Sequence, residues 1–116
     1  MDSKIQQQLF LLSKEVQNCS SEPLVVQSIL RFCKAHYSTI HKSTYKLVLK
    51  AIRLALKHKM HSERLALNAY KAFYLLHHEK RLSAKKLCLE IKGPLLEQRF
   101  FFEFGLIHII LSQIEW

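Results

Sequence analysis

Apolar residues recur along this chain at spacings of three and four. Ile5, Leu9, Leu12 and Val16 form one such stripe, and Leu24, Val25, Ile29, Leu30 and Phe32 form a second. At 3.6 residues per turn these positions gather on one side of a helix, so the pattern predicts amphipathic helices rather than strands. Ser3 with Gln6 three residues on is a capping-box signal for a first helix running to about Gln17. Cys19-Ser20-Ser21-Glu22-Pro23 ends it and starts a second, with serine to cap and proline in the first turn; this helix reaches about His36. Tyr37 through Ser43 reads as a polar junction, and a third helix follows over about Thr44 to His58. Ser62 can cap a fourth, ending near His78, and Ser83 a fifth, ending at Lys92.

Gly93-Pro94 is the sharpest punctuation in the chain, a carboxy-terminal cap and then a proline able to open a new helix. Leu95 to Trp116 is then one buried helix or a helix broken near Gly105, with a short strand as the alternative over the β-branched residues 106–110. The expectation is an all-α fold of about six helices in a single domain over residues 1–116, an antiparallel bundle or an array of helical hairpins. Helix starts near 3, 22, 44, 62 and 82 recur every 18 to 22 residues, so a helical pair spans about 40, which suits a solenoid. The tetratricopeptide pattern fits in part: Ala72 and Ala84 take its small positions, and Leu75 and Cys88 are acceptable. Asn68 and Lys71 stand where large apolar residues belong, however, and the pattern does not recur upstream. The array is left without a family.

Composition narrows the function. With 49% hydrophobic and 23% charged residues among 116, the chain can fold around a core. Two glycines and two prolines are too few for a phosphate-cradling loop or a dinucleotide fingerprint. The amino terminus lacks the features of a secretory signal. Phe100 to Ile114, the longest apolar stretch, is interrupted by Glu103, His108, Ser112 and Gln113, which argues against a bilayer span. Cys19, Cys33 and Cys88 are an odd count at wide spacings, so reduced thiols in an intracellular compartment are expected.

Charge changes the picture most. The net formal charge is +9, but residues 31–92 hold 15 Lys or Arg against Glu63, Glu79 and Glu90, while both flanks are slightly acidic. Lys42, Lys46, Lys50, Arg53 and Lys57 are spaced by four, four, three and four. On a helix they occupy an arc of roughly 80°. Tyr45, Leu47, Val48, Leu49, Ile52, Leu54 and Leu56 fill the rest of the circumference, which predicts a widely buried helix with one cationic strip. Arg64 and Lys71 share a face of the next helix, and Lys85 and Lys86 continue the theme. Solvated faces usually mix signs, because i,i+4 acid–base pairs support a helix. An unmixed strip points to an anionic partner. Its lysine-rich make-up favours diffuse contact over bidentate reading of bases.

Other chemistry is thinner. A helix-turn-helix reading would take Leu82 to Ile91 as its first helix and Gly93 as its turn. Its recognition helix would then carry Phe100, Phe101, Phe102 and Phe104 where polar, base-reading side chains belong. Cys33 and His36 stand three apart, with His41, His77, His78 and Cys88 as remoter ligands. One loose pair falls short of the two tight pairs of structural zinc. No paired carboxylates suggest acid–base work. Neither catalysis, a metal nor a cofactor is expected. From Phe100 to Trp116, eleven of seventeen residues are apolar. The preferred reading is a core helix; the alternative exposes Phe101, Phe104 and Trp116 as a docking surface, for instance for a second copy. The functional expectation is a non-enzymatic helical interaction module, an adaptor or assembly component, whose basic face docks an acidic protein. The alternative is an RNA- or DNA-binding protein that contacts mainly phosphates through the strip from Lys42 to Lys57.

Overall fold

The computed structural model describes residues 3–37 and 42–114. They form six helices: α1 (Ser3–Gln17), α2 (Glu22–His36), α3 (Lys42–Lys57), α4 (His61–His77), α5 (Arg81–Glu97) and α6 (Phe101–Ile114). No strand occurs among the described residues. The fold is all-α, as the apolar periodicity predicts.

Three links between helices are built alike. Lys59, Glu79 and Arg99 each take a left-handed φ, of 57°, 61° and 61°. In each link the next residue donates its N–H back across the helix end: Met60 to the Ala55 carbonyl at 2.8 Å, Lys80 to Leu75 at 2.9 Å and Phe100 to Leu95 at 2.9 Å. The left-handed residue itself donates to Leu56, Leu76 or Leu96. This pair of bonds is the Schellman motif. The same three residues then open the following helix, since the carbonyls of Met60, Lys80 and Phe100 accept from Arg64, Ala84 and Phe104. One residue thus ends one helix and starts the next. The device recurs every 20 residues, and the residues whose carbonyls accept, Ala55, Leu75 and Leu95, are all buried. Links this short reverse the chain, so neighbours along the sequence pack side by side.

The helix starts at 22, 42, 61 and 81 fall within two residues of those the sequence suggests, and the displaced break is the last one, which lies at Arg99 rather than at Gly93-Pro94. Gly93 and Pro94 sit inside α5 and Gly105 inside α6. Pro94 lies within the last turn, where it forfeits the bond to the Glu90 carbonyl alone, and it faces solvent. Residues 106–110, open to a strand reading, are helical, and Leu106, Ile107 and Ile110 are buried. Ser62 and Ser83 do not cap; the residues preceding α4 and α5 are Met60 and Lys80, without side-chain caps.

Helix α4 is central, packing on α2, α3, α5 and α6. Its alanines suit that position: Ala66, Ala69 and Ala72 are fully buried and let neighbouring axes approach closely. Gln27 Nε2 donates to Glu63 Oε2 at 3.1 Å, and the Tyr37 and Phe73 rings meet edge to face at 5.8 Å. Both pairs are 36 residues apart, so α2 and α4 run in the same direction in one row. Helices α3 and α5 flank α4 and make no substantial contact with each other. The resulting body measures 41 × 35 × 20 Å, a slab of helical hairpins.

Candidate functional site

The outward face of α3 carries the cationic strip. Thr44, Val48, Ala51 and Ala55 are buried and define the inward side of this helix. At 100° per residue, Lys42, Lys46, Lys50, Arg53 and Lys57 centre on the opposite side, and all five are exposed. The strip differs at one end from its reading in sequence. Lys57 Nζ lies 2.8 Å from Glu22 Oε1, and His58 Nε2 lies 2.8 Å from the same oxygen. These two hydrogen bonds hold the Glu22 carboxyl below its ordinary range. An acid 35 residues away therefore neutralises one cation of the strip. Lys42, Lys46, Lys50 and Arg53 have no acidic partner among the described residues.

The rest of α3 is less buried than its apolar residues suggest. Tyr45, Leu49 and Ile52 are half-buried, and Leu56 is 55% exposed. An apolar margin thus runs beside the cations. On α4, Arg64 and Lys71 are half-buried on one face, where Asn68 Nδ2 donates to the Arg64 carbonyl at 3.0 Å. On α5, Lys86 is exposed and Lys85 half-buried. Arg64 and Asn68, with Glu90, Pro94 and Gln98 of α5, line an open groove between α4 and α5.

Aromatic rings lie close by, on α4 as well as on α3. Tyr45 stacks on Tyr74 at 3.9 Å and 6°, and Tyr74 stacks on His78 at 3.9 Å and 27°. Tyr74 has a ring on each side, so its faces are not offered to a base. Tyr74 leaves no signal beside the strip in the sequence, because its place next to Tyr45 depends on how α3 packs on α4.

The remaining candidates separate. Cys33 and Cys88 are buried free thiols, pushed by burial up to about 12 and about 11, which makes them poor nucleophiles and ligands. His41 lies outside the described residues, and among those described no three His, Cys, Asp or Glu side chains gather as a metal site. The helix-turn-helix reading loses its turn, because α5 continues through Gly93. Helix α6 is neither wholly core nor wholly surface. Phe104 packs against the core, Phe101 is 63% exposed, and Phe101, Phe102 and Ile109 border a groove of about 300 Å³ with Tyr37. Trp116 lies outside the described residues. None of the described helices is long and apolar enough to cross a membrane.

Compared with known proteins, the chain matches no family model, and neither a similar curated protein nor a similar solved structure is found. The site must therefore be read from its own geometry.

Proposed function

We propose that this protein is a non-enzymatic helical interaction module that docks an acidic protein partner on the outer face of α3. The observation that carries the reading is the state of Lys42, Lys46, Lys50 and Arg53: exposed, aligned and without an acid among them. Like charges at i,i+4 destabilise a helix by a few tenths of a kcal/mol per pair, so an unmixed strip works against the helix that bears it. A partner carrying carboxylates removes that repulsion and gains steering at long range. The half-buried Leu49 and the exposed Leu56 beside the cations add contact area that a protein surface can use and a phosphate backbone cannot.

The test compares an acidic polypeptide with a nucleic-acid duplex at physiological salt, using wild type and Lys46→Glu/Lys50→Glu/Arg53→Glu. Lys57 is left intact, because a glutamate there would face Glu22. The reading predicts that the polypeptide binds and that the triple variant loses at least tenfold in affinity. Tight duplex binding with a steep salt dependence that the swap removes would instead support the phosphate-binding reading.

A further inference from the structure

Helix α5 repeats the outward geometry of α3 at a distance of 40 residues, but with a different surface. Ala84, Cys88, Ile91 and Leu95 are buried where α3 buries Thr44, Val48, Ala51 and Ala55. The positions of Lys42, Leu49 and Leu56 are taken on α5 by Leu82, Leu89 and Leu96. These three leucines are 84%, 57% and 49% exposed. They stand seven residues apart, so each is offset from the last by only about 20° around the helix. The result is a straight leucine line about 21 Å long on the solvent side. Lys85 and Lys92 flank it on one side and Lys86 on the other, roughly 40–60° away.

We propose that this line seats an acidic amphipathic helix of a partner protein, its apolar residues at seven-residue spacing on Leu82, Leu89 and Leu96 and its carboxylates against Lys85 and Lys92. The spacing selects a helix, since a strand repeats every second residue and cannot keep register with a seven-residue line. The charge selects the partner. A second copy of α5 laid on this seam would bring Lys85 and Lys92 of both copies into one interface, like charge against like charge. Phosphates would satisfy the lysines and leave the leucines in water. Apolar side chains at the centre with acids at the edge satisfy both. The seam is separate from the α3 face, so each can fail without the other.

A labelled four-turn peptide with leucine at every seventh position and glutamates along the edge that faces Lys85 and Lys92 tests this directly by fluorescence anisotropy against the whole protein. Leu82→Ser/Leu89→Ser/Leu96→Ser should weaken binding about a hundredfold or more, with helical circular dichroism unchanged because the three side chains are exposed. Lys85→Glu/Lys92→Glu should reject the glutamate peptide and accept a version with lysines in their place. Lys46→Glu/Lys50→Glu/Arg53→Glu should stay within about threefold of wild type, since those cations reach the peptide only through screened long-range attraction. Undiminished binding to the triple-serine variant overturns the proposal. So does equal binding of glutamate and lysine peptides by wild type, or loss of binding in the α3 variant alone. No binding of the acidic peptide by wild type overturns it as well, as does a wild-type dimer that the serine substitutions dissolve.

Discussion

Glu103 shows how single residues can work against the fold that holds them. The residue is 5% exposed and lies beside the fully buried Tyr70, and its Oε2 lies outside hydrogen-bonding geometry. Burial raises its carboxyl above the ordinary range, and nearby Lys34 and the Tyr70 hydroxyl only partly offset this. A raised folded-state value means that the native protein holds this proton more tightly than the unfolded chain does. Stability from this group is therefore full below the unfolded value and declines as pH rises through the folded one. Glu103→Gln should remove that decline, matching wild type at about pH 4 and exceeding it by about 1 kcal/mol at neutral pH. Urea midpoints at the two pH values measure it, and a variant weaker than wild type at neutral pH would show that the charged form is the useful one. The glycines give a second residue-scale prediction. Gly93 and Gly105 are helical, exposed and without positive φ, and a Cβ at either would meet nothing within 4 Å. Alanine at Gly105 should stabilise the protein by about 0.5–1 kcal/mol, read as a higher thermal midpoint, whereas at Gly93 the ring of Pro94 opposes a Cβ on helical backbone and the gain should be smaller.

At the scale of elements, the repeated link governs the architecture. Lys59, Glu79 and Arg99 occupy left-handed backbone without being glycine, which costs roughly 1–2 kcal/mol at each. Glycine at any one of them should raise stability by about 1 kcal/mol, and all three together should add up, since the sites are well separated. Denaturant unfolding of the single and triple variants checks this, and a loss of stability would mean that the side chains matter more than the backbone. These links also explain what the sequence concealed. Helix number, the all-α class and a period near 20 were legible from apolar spacing together with the serine and proline signals at the helix starts. The last break was not, because Gly93-Pro94 is the stronger local signal, whereas Arg99 makes the turn. Gly93-Pro94 then looked like an ending, although the true end of α5 is fixed by the Phe100 N–H reaching the Leu95 carbonyl. The cationic strip was legible, since helical periodicity places it without further information. Its partner in Glu22 was not, because a contact across 35 residues leaves no trace in local spacing. The leucine line of α5 was also hidden: leucines read as core until the packing shows which of them face water.

For the whole molecule, the cationic strip and the leucine line lie on the pair of helices that flank α4, while Phe10 and Leu11 on α1 and Phe101 and Phe102 on α6 expose further apolar surface. Helix α4 is surrounded by four others, whereas α3 and α5 present outward faces in equivalent register, one cationic and one leucine-lined. The excess of basic residues is thus concentrated where the slab meets its surroundings. The apolar groove beside Tyr37 on α6 is a separate surface, distinct from both. If an acidic protein is the partner of the α3 face, its association should be steered by charge and should weaken as salt rises, with the change falling mainly on the association rate. Stopped-flow measurement with the captured partner at two ionic strengths would show this, and a salt-independent association rate would exclude steering. The most direct test of the central claim is affinity capture by wild type and by Lys46→Glu/Lys50→Glu/Arg53→Glu, each with and without nuclease treatment. Acidic proteins should stay bound to wild type after nuclease and be lost from the triple variant. Release of all bound material by nuclease, or equal retention by the two proteins, would contradict it.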